Sequence, residues 1–347
     1  MQDNKQKRNV ISTIILIGVL VVALPLVLDP FRLNLIGKYL AFAFVAMGIV
    51  LTWGYGGILS LGQGVFFGLG GYMMAMFLKL EASAPELPDF MVWSSLESLP
   101  TWWIPFKSLG LTVLCILVIP AALAYVFSYA IFRRRVSGVY FAIVTLSLAL
   151  TLTVVVIGQQ GDTGGANGIT DFRTLLGMDI LSDQSLRMLY FIEVAVLSLA
   201  MLLSLAVVRS RFGKILIAIR DREDRVRFSG YDTAHMKAFV FACGALLASV
   251  GGAFFTLQVG LIAPSVIGVV ASVEMVIYAA VGGRMSVPGA VVGALLIGFL
   301  KSYLSEAFPE GWLYFLGGVF ILVVWVMPNG LAGLIEQWSS RRRSEVA

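Results

Sequence analysis

The stretch LGLTVLCILVIPAALAYVFSYAI, residues 109–131, carries no charged side chain and runs straight into Phe132, Arg133, Arg134 and Arg135. A helix of this length rises through the ~30 Å hydrocarbon core of a bilayer. A basic cluster directly behind it marks the cytoplasmic end. Nine further apolar segments surround it, at about 10–28, 34–53, 58–79, 138–157, 187–208, 238–258, 268–283, 288–304 and 311–327. Several are short or broken by glycine, so the expected fold is all-α: a polytopic transmembrane bundle of about eight to ten helices in a single domain, residues 1–347. The first run lacks a small-residue cleavage site and is expected to stay as the first span. Composition agrees. The 347 residues are 59% hydrophobic and only 13% charged, with a mean hydropathy of +0.91, whereas soluble domains are about half apolar and a quarter charged.

Charge sets the orientation. Most of the 25 Lys and Arg residues fall in segments that alternate topology places on one side: Lys5, Lys7 and Arg8; the triplet at 133–135; the stretch 209–237, with Arg209, Arg211, Lys214, Arg220, Arg222, Arg225, Arg227 and Lys237; Arg284; and the tail arginines Arg341, Arg342 and Arg343. The opposite loops, about 80–108 and 158–186, are acidic, with Glu81, Glu86, Asp89, Glu97, Asp162, Asp171, Asp179 and Asp183. Both termini are therefore expected in the cytoplasm. The net charge of +5 follows from this asymmetry and gives no reason to invoke nucleic acid. Membrane lipid is the surrounding partner.

Several function classes drop out. Two cysteines and one histidine, His235, leave little for metal or triad chemistry. Glu193 and Glu274 alone do not make the paired-carboxylate centre of a membrane enzyme. Gly213-Lys214 is followed by Ile215, so there is no phosphate-binding loop, and any use of ATP falls to a partner. No cofactor or metal is expected. Within the membrane, Glu274 lies among small residues and faces protein; Lys301 is nearer an end; Glu193, close to the outer edge of its span, is expected to snorkel.

Four segments carry information. Gly54-Tyr55-Gly56-Gly57-Ile58-Leu59-Ser60-Leu61-Gly62-Gln63-Gly64 has the glycine density of a broken or tightly packed helix, with Ser60 and Gln63 as neutral hydrogen-bonding groups; transporters line pathways with such breaks. Gly282-Gly283-Arg284-Met285-Ser286 shares the Gly-Gly-x-x-Ser pattern of Gly56–Ser60, either as the echo of an internal repeat or by coincidence. The stretch 209–237 reads as a short amphipathic cytoplasmic helix with Ile215, Ile219 and Val226 near one face, Asp221–Arg225 and Glu223–Arg227 as acid-first i,i+4 pairs, and Gly230 as its stop. The outer loop 161–170, rich in Gly, Asn and Asp, is a turn or contact segment.

Taken together, these residues resemble the branched-chain amino-acid-type ABC permease family. Gly57–Gly71 is similar to its S-L-G-Q/H-x-x-F-F-G motif, Arg135–Leu146 to R-x-x-G-x-Y-F-A-x-x-T-L, Thr163–Ile169 to T-G-G-x-x-G, Gly213–Gly230 to its cytoplasmic A-I-R-D-x-E segment, and Pro328–Leu331 to a terminal P-x-G-L. The likeness covers about residues 40–334. Arg225–Tyr231, Leu257–Pro264, Ala307–Leu313 and the insertion Leu87–Val92 resemble most the C-type permease of urea ABC transporters. Ala263 before Pro264 and Arg284–Val287 depart from the common pattern. The resemblance implies an ATP-driven importer in a bacterial inner membrane, with a second homologous permease, two cytoplasmic ATP-binding subunits and a periplasmic substrate-binding protein. It implies that Ile219, Arg220, Asp221, Glu223, Asp224, Arg225, Arg227 and Gly230 form the ATPase-coupling segment. Candidate pathway residues are Ser60, Gln63, Thr145, Ser147, Gln258 and Glu274: mostly neutral groups suited to urea, which is planar and uncharged. A branched-chain amino acid or short-chain amide permease is the alternative, and a stand-alone urea channel a further one that would need no coupling helix.

Overall fold

A computed structural model describes residues 2–172, 174–326 and 330–334. Pro328, Asn329, Arg341, Arg342 and Arg343, used in the sequence reading, lie outside the described residues. Among the described residues, eight helices are long and apolar enough to cross a membrane: α1 Asn9–Val27, α2 Pro30–Tyr55, α3 Gln63–Ser83, α4 Leu109–Arg133, α5 Val139–Gly158, α6 Asp183–Arg209, α8 Thr233–Val259 and α10 Val287–Ala307. Between them lie α7 Arg211–Phe228, the short α9 Val269–Gly282 and, at the end, α11 Trp312–Val326. The only strands among the described residues are β1 Thr174–Leu175 and β2 Met178–Asp179, an antiparallel pair in an outer loop. The all-α polytopic bundle is the observed fold.

The ends of the helices sort as charge alone predicted. Arg133, Arg135, Arg227 and Tyr231 line one cavity, Asn9 and Ser12 share a groove with Gly282 and Ser286, and Arg220 of the basic stretch 209–237 touches Met285, next to Arg284, so the basic turns gather at one end. At the other, the Gly177 amide donates to Glu81 at 2.8 Å and Gly161 packs on Ser94, so the two acidic loops meet.

Helices α2, α3 and α8 form the core; most of their residues are buried, whereas α1 is mostly exposed, with α4 and α5 showing large outward faces. Small residues allow the close approach. A Cβ at Gly252 of α8 would overlap the Phe67 carbonyl of α3. Without a hydrophobic force between helices in lipid, such backbone proximity and the packing it permits hold them together. Phe42, Phe67 and Phe255 interlock beside this crossing, with centroids 5.1–5.4 Å apart.

Two expected spans are corrected. The third does not begin at Ile58: Gly57–Gly62 is non-helical and α3 starts at Gln63. The eighth, α9, has only 14 residues, ~21 Å of rise, too short to cross. Before it, Gly260–Gly268 runs through a single 3-10 turn at Pro264–Val266, and its Ile262 and Ile267 lie against Gly71 and Gly68 of α3. Both breaks therefore sit within the bundle.

Replacing Gly252 with leucine should destabilise the bundle by about 1–3 kcal/mol, the usual cost of overpacking. Gly110, with open space around it, should accept alanine without loss. Thermal melting of the purified protein in detergent checks both.

Candidate functional site

The Gly57–Gly62 stretch turns under α3 and is held by side-chain hydroxyls. The Leu61 amide donates to Thr145 Oγ1 of α5 at 3.1 Å, and the Gly64 amide to Ser272 Oγ of α9 at 3.1 Å. Ser60 Oγ accepts from the Gly62 amide at 3.3 Å. Thr145 is six residues into α5, ~9 Å from that helix's basic end. The extended chain thus passes below the surface, where unmet backbone groups are costly. At its end sits Gln63, 1% exposed, with neither Oε1 nor Nε2 hydrogen-bonded. Buried polar groups are nearly always satisfied, so the carboxamide at this helix break stands out as unpaired.

Of the sequence candidates, Ser60, Gln63 and Thr145 come together here. Ser272 joins them; it stood in the sequence only as a small neighbour of Glu274. Ser147 lies apart on the exposed side of α5, its hydroxyl donating to the Ile143 carbonyl at 3.0 Å. Gln258 is also elsewhere: its Nε2 donates to Glu193 at 2.7 Å, and Asn34 donates to its Oε1 and backbone carbonyl at 2.8 and 2.9 Å. Glu193 is fully buried in this cluster. The snorkelling expectation is overturned: α6 begins at Asp183, which puts Glu193 ten residues down the helix, facing α2 and α8.

Glu274 lines a separate cavity of ≈350 Å³. It accepts from the Tyr278 hydroxyl and from Lys301 Nζ at 2.8 Å, and Lys301 also lies over the Trp312 ring, 5.1 Å from its centroid. Lys38, on the wall of the same cavity, went unremarked in the sequence. It sits four residues into an apolar run, which was its one available signal.

At the basic end, α7 is amphipathic. Leu216 and Ile219 are buried; Ile215 and Val226 are half-buried. The helix breaks at Arg222, whose backbone (φ −153°, ψ 79°) is non-helical. That break separates Asp221 from Arg225, so the expected i,i+4 pair is replaced by one between Asp221 and Arg220 at 3.0 Å. Glu223–Arg227 does form, at 3.0 Å. Asp224 and Arg225 are exposed, and Gly230 takes φ +86° after the helix stops.

Arg220 connects this helix to the bundle. Its guanidinium donates to the Gly54 carbonyl at 2.6 Å and touches Met285 Sδ at 3.0 Å, while its stem packs on Gly57. Gly54 in turn abuts the Arg284 carbonyl. One side chain therefore grips both glycine-rich turns. The echo between those turns extends to geometry: Gly57 and Gly283, the second glycine of each pair, have φ +69° and +118°, and each pair is followed by a serine whose hydroxyl accepts a backbone amide two or three residues on.

Glu223 anchors the far half of α7 to α8. It accepts from Lys237 at 2.5 Å and from Arg227 and Thr233 at 3.0 Å each. Burial pushes its carboxyl up, but the hydrogen bonds and charges of Lys237, Thr233 and Arg227 outweigh burial and hold it below the ordinary range. A lowered folded-state pKa gives stability that is present above the unfolded value, ~4.3, and lost as pH falls through the folded one. Glu223→Gln should therefore lower the melting temperature at pH 7, with the difference from the native chain shrinking below about pH 4.

The family pattern described as branched-chain amino acid transport system / permease component matches residues 31–324. The high-affinity branched-chain amino acid transport system permease protein LivM of Escherichia coli K12 is 24% identical over 90% of this chain and 72% of its own. The corresponding BraD protein of Pseudomonas aeruginosa is 22% identical over 85% and 92%. The xylose transport system permease protein XylH of Haemophilus influenzae is 32% identical over 38% of each chain. No solved structure matches. A match spanning α2 to α11, on a helical bundle of this build, means that the chain belongs to the branched-chain amino acid transport system permease family.

Proposed function

We propose that this chain is the membrane-spanning subunit of an ATP-driven importer in a bacterial inner membrane, that it carries urea inward by alternating access, and that it works with a second homologous permease, two cytoplasmic ATP-binding subunits and a periplasmic binding protein. The observation that carries the urea reading is the unpaired carboxamide of Gln63. Urea offers N–H donors and a carbonyl acceptor on one edge, the complement of a carboxamide, and needs no counter-ion. The hydroxyls of Ser60, Thr145 and Ser272 are engaged with the backbone amides of Gly62, Leu61 and Gly64 on either side of Gln63, whose own carboxamide is left unpaired. The sequence likeness of 225–231 and 87–92 to urea permeases points the same way.

In this reading the subunit binds no ATP. Closure of the ATP-binding subunits moves α7, and Arg220 passes the motion to both glycine-rich turns at once. Binding nucleotide more tightly in one state than in the other is what drives the cycle. A second reading, a branched-chain amino acid importer, is favoured by the named cargo of the LivM and BraD relatives.

Proteoliposomes holding the full complex, with binding protein outside and ATP inside, test both. Accumulation of labelled urea that leucine does not compete supports the first reading; leucine accumulation overturns the cargo and leaves the fold and coupling argument standing. Gln63→Leu should lower urea uptake at least ~10-fold while melting stays level or rises, since a buried unpaired amide costs about 1–3 kcal/mol. Unchanged uptake kinetics would remove Gln63 from the pathway. Arg220→Ala should abolish uptake while ATP hydrolysis continues uncoupled; retained uptake would favour a channel-like path without mechanical coupling.

A further inference from the structure

The cavity beside Glu274 is a second site of different chemistry. It lies among α2, the Gly260–Gly268 segment, α9, α10 and the start of α11. Lys38 is eight residues, ~12 Å, below the acidic end of α2, and Lys301 is six residues, ~9 Å, below that of α10; both are at membrane depth. There, charged side chains are expensive and face partners or cavities.

The charges in the cavity do not balance. Glu274 is engaged twice, by Tyr278 and by Lys301. Lys38 is within electrostatic reach of both Lys301 and Glu274, yet it has no hydrogen-bond or ion-pair partner among the described residues. Two lysines thus face one carboxylate, and Lys301 alone holds a hydrogen bond to it. The rest of the wall divides in two. Tyr39 and Ser302, hydrogen-bonded to each other at 2.6 Å, supply hydroxyls next to the charges. Phe42, Phe255 and Trp312 supply apolar surface. A volume of ≈350 Å³ is far more than a bare halide ion needs.

We infer that this cavity binds a small organic monocarboxylate, its carboxylate completing the charge balance at Lys38 and Lys301 and its apolar tail lying against Phe42, Phe255 and Trp312. The inference does not depend on urea being the cargo, because no residue of the Gln63 site lines this cavity. It also gives Gly298 a role: the glycine leaves room for the Tyr39 ring, which holds the hydroxyl pair at the cavity wall.

The test uses the intact complex in nanodiscs, titrated with 4-methylpentanoate and with 4-methylpentanamide, which has nearly the same shape and no charge, by calorimetry. The acid should bind saturably and the amide at least tenfold more weakly. Lys38→Met should weaken acid binding at least tenfold, and Lys38→Arg, which keeps the charge, should restore it. Equal binding of acid and amide would mean an apolar cavity only and overturn the inference. So would acid binding unaffected by Lys38→Met, loss shared by Lys38→Arg in a complex that still assembles, or no saturable acid binding to the native complex. Urea uptake, read in parallel, tests the cargo reading separately, because acid binding is measured without transport.

Discussion

The constraint on which the architecture depends is the need to satisfy backbone hydrogen bonds away from water. A membrane helix meets this need internally; any break must be met by something else. Among the described residues the backbone breaks inside the bundle at Gly57–Gly62 and Gly260–Gly268, and each break is served by groups from elsewhere in the chain. The first receives Thr145 and Ser272 hydroxyls, the latter from the helix that follows the second break. The second pairs through Ile262 with Ile169 of the outer loop, amide to carbonyl in both directions at 2.9 and 3.1 Å. The glycines of α3 let the two broken segments lie against one helix. A bulkier residue there would separate the segments and leave their amides without partners.

This explains why the informative polar residues are neutral and hydroxyl-bearing. Serine and threonine can serve a stray amide without carrying charge into the hydrocarbon. It also explains why Gln63 stands out. It is the first helical residue after a break whose nearby backbone groups have found hydroxyl partners, so its amide has nothing structural left to hold. The turns that enter the first break and follow α9 are both gripped by Arg220. A shift of α7 would therefore reach the first of the two breaks, where the backbone is not locked into a helix.

The span pattern was legible because hydropathy and basic-acidic alternation are local properties. Segments such as 109–131 need no knowledge of their neighbours. The glycine runs, the pairing of their serines and the α7 segment were legible as composition. What escaped was set by contacts across the sequence. The true start of α3 depends on hydroxyls from residues 145 and 272. Glu193 was assigned to the interface by its distance from a span edge, and the edge moved when the helix began at Asp183. The Asp221–Arg225 pair follows from helical spacing, and a single non-helical residue at Arg222 removed it. Lys38 was hidden because one lysine near the end of an apolar run resembles an ordinary snorkelling side chain; only the cavity shows that it faces Glu274 and Lys301.

The two sites differ in what they demand of a ligand, and the difference bears on cargo. A solute that carries charge must exchange its hydration for protein groups of opposite sign at every depth, or pay several kcal/mol of desolvation. The Gln63 break offers no charge, so a zwitterion passing it would have to rely on backbone dipoles. Urea would lose only neutral hydrogen bonds there, each worth about 1 kcal/mol net, and a carboxamide could replace two of them. The Lys38–Glu274–Lys301 cavity has the opposite character, with three ionisable side chains on or beside its wall. A carboxylate held there would lock α2 against α9 and α10, the helices attached to the two glycine-rich turns. Occupancy of the charged cavity and movement at the neutral break therefore act on the same pair of turns, and a ligand at one can favour or oppose rearrangement at the other only through its differential affinity for the two states.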